Sequence, residues 1–150
     1  MSTRQEKIDL DNDIRMIDNY AKLVNFNFRR FKKNCDSCYS KTEKEFHPVY
    51  NDLWDLIHCL PFKLKTEINK NPTLRRHIDF FYNRFKSLPC NLCKTHYNNY
   101  MRENPLRNIK TNYDLQMWTI ELHNEVNRRL NKNIFFYNQA KSIYTHMTIK

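Results

Sequence analysis

A chain of 150 residues without a single glycine has no residue that enters the left-handed and mirror-image regions of backbone space free of steric cost. Tight two-residue hairpins depend on such residues, and so do the G-x-G-x-x-G turn of dinucleotide-binding sheets and the glycine-rich phosphate loop. Those architectures are therefore removed together, and any nucleotide bound here is held by side chains. Helices need no glycine, and the abundant asparagines can take the left-handed position that ends them. The expected fold class is all-α. With 40% hydrophobic and 14% aromatic residues, the chain can bury a core of its own as one domain.

Hydrophobic spacing draws the helices. Leu10, Ile14, Ile17, Ala21, Val24, Phe28 and Phe31 alternate four and three apart, a narrow apolar seam on a helix of about seven turns. That seam must pack on something, and its own domain is preferred to a second subunit because three heptads make a short coiled coil. Asn34 to Phe46 is polar around Cys35 and Cys38 and is expected to be a loop. His47-Pro48 opens a second helix running to the breaker Pro61, with Leu53, Trp54, Ile57 and His58 on adjoining parts of one face. Asn71-Pro72 caps a third, whose stripe Leu74, Ile78, Phe81, Phe85, Leu88 is plain core. A fourth carries His96, Tyr97 and Tyr100 and ends before Pro105. Thr111-x-x-Asp114 is a capping box announcing a helix through Leu130, with Leu115, Trp118, Leu122 and Val126 as its apolar side. Asn138 to about Met147 closes the chain with Ile143, Tyr144 and Met147.

The formal charge of +10 and isoelectric point near 9.5 would suit an anionic partner. The basic residues are dispersed, apart from Arg29-Arg30 with Lys32-Lys33 and the pair Arg75-Arg76, so a solvated surface explains them equally well. No apolar run reaches membrane-spanning length, and the N-terminus shows neither a signal h-region nor an Arg/Ser-rich transit peptide. A soluble protein made in the cytosol is expected. Five cysteines, in two close pairs and a lone Cys59, are too few for a secreted disulfide scaffold. Cys59, with no partner in sequence, is expected to be a buried thiol without a working role.

The stretch Pro89-Cys90-Asn91-Leu92-Cys93-Lys94-Thr95-His96 carries the chemistry. Proline favours the first position of a helix, which would set Cys90 in the first turn, where the helix dipole favours thiolate. A thiolate attacks disulfides, so the pair reads as a redox centre. C-x-x-C is also metal-ligand spacing, and on this motif alone half of a zinc site stands level with it. Further on, His123 and Asn127 lie one turn apart with Asn124 between them, polar groups beside aromatics and aliphatics that would be costly to bury unless a planar polar ligand bonded them.

Three motifs now stand in order: W-x-x-x-H at Trp54 and His58, P-C-x-x-C-x-x-H from Pro89 to His96, and W-x-x-x-x-H-N-x-V-N-x-x-L-x-K from Trp118 to Lys132. In these the chain, over about Tyr50 to Tyr144, resembles the Erv/ALR-type family of FAD-linked sulfhydryl oxidases, most closely the compact members of large cytoplasmic DNA viruses. The resemblance implies a four-helix bundle with a short fifth helix, here with an added N-terminal helix. Residues 1–46 would hold that helix and a C-x-x-C loop, and 47–150 the FAD-binding oxidase domain. FAD would lie in the mouth of the bundle of a homodimer. Trp54 and His58 would contact it from the first bundle helix, and Cys93 would be the thiol beside the isoalloxazine, with Cys90 as interchange thiol. His96, Trp118, His123, Asn124, Val126 and Asn127 would line the cofactor, with Leu130, Lys132 and Tyr144 nearer its phosphate and adenine end. No metal is expected.

The implied reaction oxidises dithiols of a reduced protein or a thioredoxin-like relay protein, sends the electrons through Cys90–Cys93 and FAD to O2, and gives H2O2. Cys35 and Cys38 would serve as a shuttle pair, against a structural disulfide or zinc. Partners would include neither nucleic acid nor a membrane span, and the setting would be host cytoplasm or virion, with the mitochondrial intermembrane space as alternative. Two departures from the family pattern matter. Ile120 and, approximately, Tyr137 hold the positions of a frequent structural disulfide, so packing must replace that staple. Pro48-Val49-Tyr50 stands where a glycine often precedes the first tryptophan. The remaining alternative is a zinc-binding, basic nucleic-acid module built on both C-x-x-C pairs.

Overall fold

A computed structural model describes residues 3–30 and 49–149. Among them are six α-helices and no strand: α1 Arg4–Arg29, α2 Val49–Lys63, α3 Pro72–Asn83, α4 Asn91–Glu103, α5 Asn112–Arg129 and α6 Tyr137–His146. The all-α expectation holds. Phe31, His47 and Pro48, together with Cys35 and Cys38, lie outside the described residues.

α1 lays its seam on α2 and α3. Ile17, Ala21 and Val24 are buried in the common core, while Phe28 meets Phe85 edge-on at 5.9 Å. Two polar residues of α1, Asp13 and Asn27, are buried as well. Asp13 is 3% exposed, and its carboxylate accepts the backbone N–H groups of Lys65 at 3.1 and 3.2 Å and Thr66 at 2.8 Å. A buried carboxylate is tolerable only when bonded in this way, so Asp13 fixes the chain as it leaves α2.

α2 occupies the centre, against α1, α5 and α6. Pro61 does not stop it; the helix runs on to Lys63. Proline lacks the N–H that would bond the carbonyl four residues back, that of Ile57. The buried Tyr82 hydroxyl donates to that carbonyl at 2.8 Å and replaces the missing bond. Buried phenols repeat the device: Tyr97 donates to the Tyr82 carbonyl at 2.7 Å and Tyr100 to that of Trp118 at 2.8 Å.

Asn71 caps α3 by accepting the Leu74 N–H at 3.0 Å. The core stripe of α3 outlasts the helix, with Phe85 in a 3₁₀ turn, Arg84–Ser87, and Leu88 just beyond it. The Thr111 capping box is fully formed, its hydroxyl accepting the Asp114 N–H at 3.0 Å while the Asp114 carboxylate accepts the Thr111 N–H at 3.2 Å. At the other end of α5, Asn131 adopts φ 55°, a left-handed residue supplied by asparagine in a chain lacking glycine. Lys132 N–H bonds the Asn127 carbonyl at 2.8 Å, and Asn131 N–H that of Arg128 at 3.3 Å, completing a Schellman ending. α6 turns Ala140 and Tyr144 inward, whereas Ile143 is 44% exposed and not part of the core face. Tyr137 ties α6 to α5, donating to Gln116 at 2.9 Å and meeting Tyr113 edge-on, and Ile120 is 1% exposed. A hydrogen bond and ring packing thus join α6 to α5.

Candidate active site at the mouth of the bundle

α4 starts two positions later than the proline suggests. Cys90 is the N-cap and Asn91 the first helical residue, so Pro89 precedes the cap and Cys93, not Cys90, sits inside the first turn. The sulfurs differ in environment: Cys90 is 0% exposed, while Cys93 is partly exposed and lines a cavity of about 470 Å³. Burial pushes the Cys93 thiol up to about 12, and its hydrogen bond to the Cys90 sulfur adds to this. The nearby Tyr50 side chain and the charge of Arg129 pull the other way. At Cys93, which sits inside the first turn, the helix dipole is therefore outweighed by desolvation. Cys59 is fully buried, its thiol likewise pushed up to about 12 by burial.

Beside Cys93, the cavity is walled by Tyr50, Leu53, Trp54, Ile57 and Val126, with His96 and Arg129 among its polar groups. A second, polar cavity of about 190 Å³ adjoins it, sharing Tyr50, Trp54, Val126 and Leu130 and adding Asn51, His123, Asn127 and Lys132. The cleft is of ligand size.

From its wall inward runs an aromatic pile. Trp54 and His123 stack at 3.9 Å, 4° from parallel, and His58 stacks on Tyr144 at 4.6 Å. Trp54 and His123 leave no gap for a ring between them, so a planar ligand must lie beside the pair. Burial lowers the His58 pKa, helped by His123, and it lowers that of His123 to about 4, helped by Lys132. Both rings are neutral near pH 7, and their bonds assign the tautomers. The Thr119 hydroxyl donates to the Gln116 carbonyl at 2.8 Å, so it accepts from His58 Nδ1–H at 3.1 Å. His58 Nε2 is then the acceptor for His123 Nδ1–H at 2.9 Å, which leaves His123 Nε2 as an unprotonated acceptor.

The residues singled out from the sequence divide into two layers. Trp54, Cys93, His96, His123, Val126, Asn127, Leu130 and Lys132 line the cleft. His58, Trp118, Asn124 and Tyr144 stand behind its walls. Trp118 donates its indole N–H to the Asn104 carbonyl at 2.8 Å. Asn124 accepts the Phe135 N–H at 2.7 Å and donates to the Phe135 carbonyl at 2.9 Å, pinning the strand of chain after α5. Tyr50 and Arg129 were not singled out, though Tyr50 is four residues before Trp54 and Arg129 three after Val126, spacings that place each on a lining face. Among the described residues, no group of three or more His, Cys, Asp or Glu side chains is placed to hold a metal ion. No described helix is long and apolar enough to cross a membrane.

A dithiol at the start of one bundle helix, set against a ligand-sized cleft with aromatic walls and a cationic end, defines a helical dithiol protein. The model of the Erv1 / Alr family matches residues 51–145, and the chain belongs to that family. It is 40% identical over 73 residues to an FAD-linked sulfhydryl oxidase of African swine fever virus isolate Pig/Kenya/KEN-50/1950, covering 49% of this chain and 60% of the relative. To the enzyme of the same name from isolate Tick/Malawi/Lil 20-1/1983 it is 42% identical over 67 residues, 45% of this chain and 56% of the relative. The chain thus spans somewhat over half the length of the relatives it matches. No solved structure matches it significantly.

Proposed function

We propose that this protein is an FAD-dependent sulfhydryl oxidase whose catalytic unit is residues 47–150. The observation that carries the reading is Cys93, one sulfur of a close pair, opening onto an aromatic-walled cleft that ends at Lys132. The donor set fits FAD. The apolar cavity suits a flavin ring, while Asn127, Lys132 and the bare His123 Nε2 suit a phosphate-bearing, donor-rich nucleotide. When bound, FAD supplies a two-electron acceptor that can pass its electrons to O2, giving H2O2.

The residues of the chain handle the thiols. With Cys90 and Cys93 joined as a disulfide, a substrate thiolate attacks the Cys90 sulfur. A new S–S bond joins substrate to Cys90, the Cys90–Cys93 bond breaks, and the electron pair leaves on Cys93. The second substrate thiolate then attacks the mixed disulfide and releases Cys90, so the substrate is oxidised and the pair reduced by two electrons. Because Cys90 is fully covered, its cover must move before a substrate sulfur reaches it. Cys93, lining the cavity, is the sulfur placed to hand electrons on. Trp54, Leu53 and Val126 exclude water there, and the neutral His58–His123 pair holds the stack.

Cys35 and Cys38 lie outside the described residues; their sequence supports a relay pair that receives electrons from a reduced protein or a thioredoxin-like partner. The same reading includes a homodimer, checked by sedimentation, acting in host cytoplasm or virion. The family resemblance supports both.

Oxygen uptake tests the reading. With dithiothreitol as substrate, the purified protein should carry about one flavin per chain and consume O2, and Cys90→Ser and Cys93→Ser should each stop turnover. A Cys35→Ser/Cys38→Ser double variant should keep its flavin and its dithiothreitol oxidation but lose most activity towards a reduced protein. Undiminished turnover in either single variant sinks the assignment, and equal loss or equal retention on both substrates removes the relay.

A further inference from the structure

We infer that Thr119, acting through His58, is a positioning residue that makes His123 present a hydrogen-bond acceptor to the cleft. The ligand group met there must then be a donor, an N–H or O–H. The inference rests on the proposed oxidase reading and names the chemistry of one contact within it. Its basis is a chain of hydrogen bonds across two helices. Thr119 and His123 lie one turn apart on α5, and His58 of α2 bonds both of them. His58 Nδ1 is 3.1 Å from the Thr119 hydroxyl, and His58 Nε2 is 2.9 Å from His123 Nδ1. Thr119 and His58 are both 0% exposed, whereas His123 lines the polar cavity with Asn127 and Lys132. Trp54 stacks on the His123 ring and Tyr144 on the His58 ring, so packing holds both imidazoles in the plane that the bonds require.

The polarity of the chain is set at its buried end. A hydroxyl has one proton, and that of Thr119 goes to the Gln116 carbonyl three residues back, at 2.8 Å. Towards His58 the oxygen can then only accept, which puts the His58 proton on Nδ1 and a lone pair on Nε2. That lone pair takes the Nδ1–H of His123, and the lone pair of His123 is left on Nε2, the nitrogen away from His58. A neutral imidazole in water favours the opposite form, with its proton on Nε2, so two successive Nδ1–H rings need a cause. The Thr119 oxygen supplies it. The reverse polarity would also turn an N–H towards a cavity that holds the Lys132 ammonium, whose charge acts on His123. Desolvation keeps both rings uncharged near pH 7, so the relay carries a tautomer and not a charge. A ligand acceptor placed against Nε2 would set lone pair against lone pair and leave a bond unmade. Flavin nucleotides offer donors in their hydroxyls, adenine amino group and ring N–H. Their phosphates only accept, and suit Lys132 instead.

The test uses the full chain with isotope-labelled histidine, freed of the flavin it carries so that the relay alone sets the rings. Proton–nitrogen NMR correlations through two bonds tell a protonated from an unprotonated ring nitrogen. In the wild type His58 and His123 should both carry the proton on Nδ1. Thr119→Val removes the buried acceptor and should reverse both rings to Nε2–H, while Thr119→Ser, which keeps the hydroxyl, should retain the wild-type pattern. A role confined to packing would not move the tautomers. When FAD is added back, the wild-type His123 Nε2 signal should shift and stay unprotonated, and Thr119→Val should bind FAD about tenfold more weakly than Thr119→Ser, the loss of one hydrogen bond. An Nε2–H form of either ring in the wild type, Nδ1–H rings retained in Thr119→Val, or equal affinity in the two variants overturns the inference. Should Thr119→Val fail to fold, Thr119→Ala, which also removes the acceptor, takes its place. Loss of the oxidase reading would show as a protein that purifies without flavin or as turnover surviving in Cys93→Ser, outcomes that leave the tautomers readable.

Discussion

The two histidines show how burial sets charge at single residues. His58 is 0% exposed and bonded on both ring nitrogens, and His123 stacks on Trp54 while bonding His58. Protonating either would place a charge in a desolvated stack, which is why both pKa values fall. For His123 the folded value is about 4 against about 6.5 for an unfolded histidine. Above about pH 6.5 neither state is protonated, and the folded state keeps its full stability. As pH falls from there towards 4, the unfolded chain binds a proton that the folded one refuses, so stability is lost across that window, by at most ~3 kcal/mol for this group. Urea unfolding in steps of pH should show the wild-type protein losing more over this range than His123→Phe, which keeps the stacking ring but cannot titrate. Parallel curves would mean that His123 is not a buried neutral ring.

Among the elements, α2 shows where sequence reasoning reached and where it stopped. Period and capping residues made most helices legible: the α1 seam, Asn71 before α3 and the Thr111 box each describe a local backbone event that the chain encodes within a few residues. Pro61 was misleading because its cost is local while its remedy is distant. The Tyr82 hydroxyl that serves the Ile57 carbonyl comes from α3, 25 residues away, and no window of sequence holds both. The start of α4 shifted for a related reason, since proline tolerates the positions before a cap as well as the first turn. In the site, motif spacing could pick out Trp54, Cys93, His123 and Lys132, but not which residues face the cleft and which, like Asn124, hold the chain behind it. Tyr50 and Arg129 escaped because helical spacing alone does not say which face a helix turns to the cleft. The α2 account is open to a double-mutant cycle. Tyr82→Phe should cost ~1–3 kcal/mol by leaving a buried carbonyl unbonded, and less in a Pro61→Ala background, where the helix regains its own N–H. Equal costs in both backgrounds would show that the hydroxyl does not replace the missing helix bond.

As a whole molecule, the protein is a helical frame whose core layer secures the walls of one cleft. Asp13 anchors the exit of α2, and Asn112 fixes the start of α5, accepting the Ile68 N–H at 3.0 Å and donating to the Thr66 carbonyl at 2.9 Å. Arg75 donates to the carbonyls of Ile109, at 2.6 Å, and Leu106, steadying the link between α4 and α5. Cys93, Trp54 and His123 therefore approach each other from three helices held by bonds outside the cleft. In this arrangement Cys93 joins the thiol chemistry to whatever the cleft holds. The direct measurement is anaerobic: excess dithiothreitol is mixed with the flavin-bound protein and the visible flavin band followed in time. The band should bleach rapidly in the wild type, while in Cys93→Ser the flavin should remain bound and oxidised on the same timescale. Bleaching at an equal rate in Cys93→Ser, or a folded protein that takes up no flavin, would contradict the account.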